Sequence, residues 1–320
     1  MKLDPPDISV IIPAYNSETY IRESINSILE QSFSNWEMIV VNDGSTDHTP
    51  AIIQEYILKD QRIKLIMQEN SGSALARRTG FLNSQGKYIY FLDADDRSKP
   101  TTLERLYLAL ERWTEAVAAY GKIVEIDISN NVIFQPGSIV EDLVPIDMFP
   151  RTIERGIFCI GGVCIRRNFL NQEDFLTDLT IGEDWLFWCR LTAKGPFIFI
   201  GEEAIIEIRR HNTNKTKLPI SKLVESWNKS REVIFTDPAI RQKLPPKLLA
   251  KHSQINKFYT YYDVTKLCWR LKAYDLTTIY FGKSIITALE NPLAFLHIMG
   301  RFNREVWRYF RYFIKNPDKY

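Results

Sequence analysis

Short apolar runs alternate with amphipathic stretches through the first hundred residues. Between the runs, apolar side chains recur at helical spacing, as at Ile21, Ile25 and Ile28. The runs are rich in β-branched residues and cover positions 8–12, 38–41, 63–66 and 88–92. Buried strands that alternate with helices are typical of a parallel α/β sheet. We therefore predict an α/β fold with a mostly parallel central sheet.

The pattern changes near residue 116. Residues 117–128 and 132–134 are predicted as strands around a turn at Asn130-Asn131, and two further short strands are predicted at 197–200 and 205–208. From residue 218 onward the apolar spacing is mainly helical, with prolines between the helices. This indicates a first region at residues 1–217, divided near 116, and a helical region at residues 218–320.

Polar residues follow three of the predicted strands. Tyr15 and Asp43 come just after the first two, and the fourth ends in the acidic stretch 93–96. In open α/β sheets, ligands bind beyond the carboxyl ends of the strands. Two like charges about 4 Å apart repel by on the order of 4 kcal/mol at an effective dielectric constant near 20, so the acidic stretch favours a bound cation.

Two interpretations of the acidic stretch compete. It either holds Mg²⁺ or Mn²⁺ together with a diphosphate, or it is a solvated turn before a helix near Pro100. The position of Tyr15 and Asp43 at the same edge of the sheet favours the metal site. The sequence contains neither Gly-x-Gly-x-x-Gly nor a P-loop motif, which disfavours a dinucleotide dehydrogenase and a P-loop nucleotidase.

Two later segments carry further candidate chemistry. Glu183 and Asp184 precede a helical apolar pattern, where acidic side chains can also serve only as partners of the helix dipole. Arg209, Arg210 and His211 follow the last predicted strand and form a candidate anion site.

Four of these segments resemble motifs of the inverting family-two glycosyltransferases, which have the GT-A fold. They occur in the same order as in that family: SVIIPAYN at 9–16, VNDGSTD at 41–47, DADD at 93–96 and GED at 182–184. The resemblance covers residues 8–216 and does not extend into the C-terminal helices. It implies a GT-A catalytic domain at 1–217, with a nucleotide-sugar-binding half at about 1–115 and an acceptor-binding half at about 116–217.

The resemblance also implies roles for individual residues. Asp184 corresponds to the general base, and Asp95 with His211 would bind Mn²⁺ or Mg²⁺. The residues that would contact the nucleotide sugar are Pro13, Tyr15, Glu18, Asp43, Arg77, Asp93, Ala94, Asp95, Arg209 and His211. Ala74 and Arg78 depart from the family pattern, which usually has Ser and Asn at these positions.

The function that the resemblance implies is a metal-dependent inverting glycosyltransferase. It would move a sugar from a nucleotide-diphosphate donor, which we expect to be a UDP-sugar, to a polysaccharide, lipid-linked or protein acceptor by single displacement. The alternative is a non-catalytic nucleotide-sugar-binding or scaffold protein on the same fold. A nucleotidyltransferase is disfavoured, because Pro13-Ala14-Tyr15-Asn16 is not a Gly-rich phosphate loop.

Charge is distributed unevenly along the chain. The formal net charge is +2, yet residues 241–320 contain 15 Lys and Arg against 5 Asp and Glu. The basic residues Arg301, Arg304, Arg308, Arg311 and Lys315 recur at helical spacing among apolar side chains. This pattern predicts an amphipathic helix that either contacts an anionic membrane or packs on protein.

The remaining features indicate the compartment. The four cysteines lack disulfide or metal-ligand spacing, and the N-terminal residues carry no apolar signal segment. No apolar run reaches the roughly 18 residues of a membrane span. We therefore expect a cytoplasmic protein, peripheral at the inner face of the plasma membrane, without a nucleic-acid partner.

Overall fold

The computed structural model describes residues 5–135, 143–211, 219–270 and 274–290. The chain divides into two compact units. The first comprises Met1–Thr152 and Ile157–Lys217, and the second comprises Ile153–Gly156 and Leu218–Tyr320. The predicted basic helix at residues 301–320 lies outside the described residues.

A single mixed sheet forms the centre of the first unit. Within the described residues it has nine strands in the order β3-β2-β1-β4-β8-β6-β9-β5, with β7 paired to β6. The strands are β1 (Ile8–Ala14), β2 (Trp36–Asp43), β3 (Ile63–Gln68), β4 (Tyr88–Phe91), β5 (Arg97–Ser98), β6 (Ala118–Ile126), β7 (Val132–Phe134), β8 (Val163–Arg166) and β9 (Phe197–Arg209).

The first four strands run parallel. Ile11 of β1 lies opposite Ile39 of β2 on one side and Phe91 of β4 on the other. Every residue of β2 is buried, as expected for a central strand covered on both faces. Because these strands are parallel, their carboxyl ends meet at one edge of the sheet, which we call the carboxyl edge.

Helices cover both faces of the sheet. One face packs against α1, α2 and α4 around aliphatic side chains, and the other carries an aromatic cluster that includes Phe91, Phe187 and Trp188. The helices of the first unit are α1 (Ile21–Leu29), α2 (Thr49–Ile57), α3 (Ser73–Leu82), α4 (Thr102–Arg112), α5 (Phe149–Glu154, whose last two residues belong to the second unit) and α6 (Glu183–Thr192).

The second unit is helical in its described residues. Its helices are α7 (Ile220–Thr236), α8 (Pro238–Lys243), α9 (Pro246–Arg270) and α10 (Tyr274–Leu289). No helix among the described residues is long and apolar enough to cross a membrane. The predicted α/β fold with a mostly parallel sheet and C-terminal helices is therefore confirmed.

One prediction about the strands was wrong. The two strands predicted at 197–200 and 205–208 form the single strand β9, which pairs along β6. The register jumps between the pairs Tyr120–Phe199 and Lys122–Ala204, so β9 carries extra residues there. Gly201, at φ +105°, lies within this bulge and adopts a conformation that glycine tolerates best. The polar residues of the bulge interrupt the apolar run, although the strand continues.

Candidate active site

The loops after β1 and β2 are tied to each other at the carboxyl edge. The backbone N–H of Asn16 donates to Ser45 Oγ at 3.0 Å, and the N–H of Thr46 donates to Asn16 Oδ1 at 2.8 Å. Asn16 has a φ of 47°, in the left-handed region that Asn tolerates. Tyr15, two residues after Pro13, lies on the surface and is 51% exposed.

Two predicted binding carboxylates hold neighbouring loops in place. Glu18 Oε2 accepts from the N–H of His48 at 2.9 Å. The buried carboxylate of Asp43 accepts from Gln68 Nε2 at 2.7 Å and from the N–H groups of Ser71 and Gly72 at 2.8 and 2.9 Å. Asp43 therefore fixes the loop that leads into α3, and α3 carries Arg77.

Residues from two other segments of the chain contact the acidic stretch 93–96. Arg77 of α3 donates to Asp93 Oδ1 at 2.8 Å. His211 Nε2 lies 2.8 Å from Asp95 Oδ2, and the N–H of Arg209 donates to Asp96 Oδ1 at 2.9 Å. Segments far apart in the sequence therefore converge on residues 93–96, which we call the acidic loop. Ala94 is buried within it.

The same loop concentrates negative charge. Burial raises the pKa of Asp95, and the charge of Asp93 raises it further, while His211 acts in the opposite direction. Burial also raises the pKa of Asp96 well above its usual range, with added repulsion from Asp95 and Asp93. A cation that lies beside these side chains would relieve this repulsion.

Arg209 is almost fully buried behind the acidic loop. Its Nε donates to the Asp95 carbonyl at 3.2 Å, one terminal nitrogen donates to Asn130 Oδ1 at 2.6 Å, and the other forms an ion pair with Glu23 at 2.7 Å. The guanidinium lies over the Tyr20 ring, 4.8 Å from its centroid. Arg209 therefore anchors the acidic loop in this conformation, and its predicted contact with the nucleotide sugar stays a prediction.

Asp184 lies on the first turn of α6, partly buried. Burial raises its pKa to about 6, the charge of Glu183 adds to this effect, and the charge of Arg77 opposes it. Asp184 Oδ1 accepts from the N–H of Trp185 at 2.8 Å. Glu183 accepts from Ser73 Oγ, at the first turn of α3, at 3.0 Å. The two helix N-termini are therefore linked, and this brings Asp184 into the electrostatic field of Arg77 and Asp93.

The predicted residues fall into two groups. The first group belongs to the strand ends and loops of β1 and β2: Pro13, Tyr15, Glu18 and Asp43. The second group forms the acidic loop, contacts it or acts on its charges: Arg77, Asp93, Ala94, Asp95, Asp184, Arg209 and His211.

Sequence reasoning missed several residues that support the second group. Tyr20 stacks near both Arg209 and His211, with its ring centroid 5.1 Å from that of His211. Glu23 pairs with Arg209, and Cys159 lies near enough to Asp184 that this charge, after burial, helps raise the thiol pKa to about 12. The only signal in the sequence is the three-residue spacing of Tyr20 and Glu23, which places both side chains on one side of a helix.

The residues present suit a divalent cation that is shared with a ligand. The described residues contain no cluster of three or more His, Cys, Asp or Glu side chains placed to hold a metal ion. However, Mg²⁺ is often bound by one or two protein ligands together with substrate phosphates. Asp95 and His211, which contact each other at 2.8 Å, are the candidate pair.

Comparison with known proteins identifies the family. Residues 9–174 match the family model described as Glycosyl transferase family 2. The chain belongs to this family. Glycosyl transferase family 2 relatives include TuaG of Bacillus subtilis (strain 168), named as a teichuronic acid biosynthesis glycosyltransferase, which is 33% identical over 71% of this chain and 88% of its own length. An uncharacterized glycosyltransferase of Haemophilus influenzae is 31% identical over 67% of this chain and 68% of its own.

Solved structures show the same fold. A crystal structure of S. aureus TarS 1-349 matches with a TM-score of 0.62 at 20% identity, covering 88% of this chain and 80% of that chain. The same TarS fragment in complex with UDP-GlcNAc matches with a TM-score of 0.62 at 21% identity. The predicted GT-A fold is confirmed, and this family-2 protein is a glycosyltransferase.

Proposed function

We propose that this glycosyltransferase transfers a sugar from a UDP-sugar to a polysaccharide, lipid-linked or protein acceptor by a single inverting displacement. The observation that carries the proposal is the convergence of Asp184, Arg77 and the Asp95–His211 pair around the acidic loop. Two named relatives add support: TarS is described in complex with UDP-GlcNAc, and TuaG is named for teichuronic acid biosynthesis. The acceptor is therefore proposed to be a component of the cell envelope.

Asp184 is proposed as the general base. An ordinary aspartate is a weak base, whereas a carboxylate with a pKa of about 6 is ionised at pH 7 and accepts a proton more readily. In this role it would take the proton of the acceptor hydroxyl as the hydroxyl oxygen attacks the anomeric carbon. Direct displacement from the side opposite the diphosphate inverts that carbon and needs no covalent enzyme intermediate.

The donor is proposed to lie along the carboxyl edge. Pro13 and the exposed Tyr15 would contact the base, with Glu18 close by, and Asp43 would shape the adjoining loop as well as contact the nucleoside. Arg77 and Asp93 would position the nucleotide sugar. Asp95 and His211 would hold Mn²⁺ or Mg²⁺, which would supply positive charge against the departing diphosphate.

Catalysis is assigned to residues 1–217. The donor would bind the half at about 1–115 and the acceptor the half at about 116–217. The basic region at 218–320 is proposed to hold the enzyme at the inner face of the plasma membrane, where lipid-linked acceptors are found. This location follows from the charge of the region and stays a prediction.

A ligand-stabilisation experiment tests this proposal. UDP and UDP-sugars should raise the melting temperature more with Mn²⁺ than without, because a ligand that binds only the native state stabilises it. Asp95→Ala should remove the Mn²⁺-dependent part. Glu115→Ala serves as the control. This exposed carboxylate precedes β6, which runs in the same direction as β4, so it lies at the amino ends of these strands, away from the carboxyl edge. The absence of stabilisation by every UDP compound would contradict the proposed donor.

A further inference from the structure

The polarity of α10 is reversed relative to an ordinary surface helix. Ser284 and Thr287, on one side of it, are only 1% and 2% exposed. Large apolar side chains occupy its exposed side: Leu276, Ile279, Phe281, Ile285, Ile286 and Leu289, which are 38–63% exposed. Surface helices of globular proteins normally bury their apolar stripe. We call these six exposed side chains the apolar face of α10.

The apolar face is continuous along the helix. Leu276, Ile279, Ile286 and Leu289 follow one another at spacings of three and seven residues, so they form one stripe, and Phe281 and Ile285 widen it. Single exposed apolar residues are common, but a contiguous group of this kind marks an interaction surface.

The charge of the surrounding sequence favours an anionic partner. Residues 241–320 contain 15 Lys and Arg against 5 Asp and Glu, and α10 itself carries Lys283 and Asp275. The 30 residues after Glu290 add eight aromatic residues and six basic residues against two acidic ones. Aromatic and basic residues together favour the interface of an anionic bilayer, which attracts cations within a Debye length.

A second copy of the chain fits this region less well. Pairing two apolar faces would bring together two regions that each carry a large excess of positive charge, and like charges oppose such a contact. Anionic lipid headgroups offer the opposite sign beside an apolar layer. The combination of an exposed apolar face and a basic sequence region is therefore complementary to lipid.

We propose that the apolar face of α10 is a membrane-docking surface for bilayers that contain anionic lipid. The apolar side chains enter the boundary between headgroups and acyl chains, and basic residues of the described helices, such as Lys283, contact the headgroups. This inference deepens the proposed location at the membrane and rests on it. It does not depend on the identity of the donor or on the role of Asp184.

Vesicle binding by the full chain tests the surface. Phosphatidylcholine vesicles with and without phosphatidylglycerol are compared by sedimentation, using wild type and the double variant Ile279→Glu with Ile286→Glu. We expect the double variant to bind phosphatidylglycerol vesicles on the order of tenfold more weakly, because two apolar contacts become charged. The milder variant Ile286→Gln should weaken binding by a smaller factor and keeps the test valid if the double variant fails to fold.

A matched control separates the apolar face from apolar surface in general. Leu58→Glu with Leu108→Glu changes two residues of the first unit that are 81% and 58% exposed, and it should leave vesicle binding unchanged. Release of UDP in solution should be the same in all these variants and in wild type. Loss of vesicle binding is therefore measured independently of the proposed catalytic function. Unaltered vesicle binding by both α10 variants would overturn the inference. A different result would also overturn it: wild type that does not bind vesicles but forms a dimer, with the α10 variants monomeric.

Discussion

Asp184 combines two properties that the rest of the acidic residues do not show together. It occupies the position expected for a base at the start of α6, and its pKa of about 6 results from burial and from the charge of Glu183. Arg77, which pairs with Asp93 at 2.8 Å, limits this rise. The neighbouring charges therefore set the pH at which Asp184 is able to accept a proton.

The first prediction concerns the pH dependence of kcat/KM. Asp184 must be ionised to act as a base, so kcat/KM should fall as the pH drops below about 6. Glu183→Gln removes a like charge, lowers the pKa of Asp184 and should move this fall to lower pH. Rates of UDP release measured from pH 5 to 8 test both statements. A profile that is flat across this range would contradict the role of Asp184.

The second prediction concerns stability. In the unfolded chain Asp184 has its ordinary pKa of 3.8, and in the folded protein about 6, so the folded state loses stability as pH rises between these values. Asp184→Asn removes this penalty and should raise the free energy of unfolding at pH 8 by about 1 to 3 kcal/mol, solvent screening favouring the lower figure.

Urea unfolding at two pH values provides the measurement. The gain should be present at pH 8 and much smaller at pH 4, where the carboxyl group is protonated in the folded state and only partly ionised in the unfolded chain. A loss of stability of Asp184→Asn at pH 8 would mean that the Asp184 carboxylate stabilises the fold, and it would contradict the raised pKa.

At the scale of elements, α3 connects the donor edge of the sheet to the base. Asp43 fixes the loop before α3, Ser73 at its start bonds to Glu183, and Arg77 in its middle bonds to Asp93. Gly80 near its end lies directly against β1. A Cβ at this position would come within 2.3 Å of Ile11 Cγ2, a branched methyl group that cannot swing away.

The third prediction is that Gly80→Ala destabilises the first unit. Alanine gains about 1 kcal/mol of helix propensity. Overpacking against a buried strand costs about 1 to 3 kcal/mol, so the clash should prevail, and α3 should shift together with Arg77. Thr79→Ala, on the same helix and partly exposed, is the control. Denaturation midpoints of the two variants test this, and an unchanged midpoint for Gly80→Ala would show that α3 and β1 separate without cost.

At the scale of the whole molecule, the fold follows from the apolar pattern more directly than the site does. Runs such as 8–12 and 38–41 predict strands because a central parallel strand is buried on both faces and therefore reads as uninterrupted apolar sequence. The bulge of β9 was not predicted, because polar residues within it lie outside the core and interrupt the apolar run although the strand continues.

Position in the sequence singled out two parts of the candidate site: the acidic stretch 93–96, which follows a strand, and Asp184, which lies at the start of a helix. Their roles came from the resemblance to family two and stay predictions. The packing of Tyr20 and Glu23 on Arg209, and the bond from Ser73 to Glu183, join residues more than a hundred positions apart. No local periodicity encodes such contacts, because they depend on how the sheet and the helices close together.

Asp184 is proposed as the base of a UDP-sugar transferase, and UDP release by the purified full chain is the decisive measurement of this role. With Mn²⁺ and a panel of UDP-sugars, the wild type should release UDP from at least one donor. Asp184→Asn should lower kcat by about 10²- to 10⁴-fold while calorimetry shows unchanged UDP binding. The exposed-carboxylate control Glu115→Gln should match wild type. UDP release by Asp184→Asn at the wild-type rate would show that Asp184 is not the base.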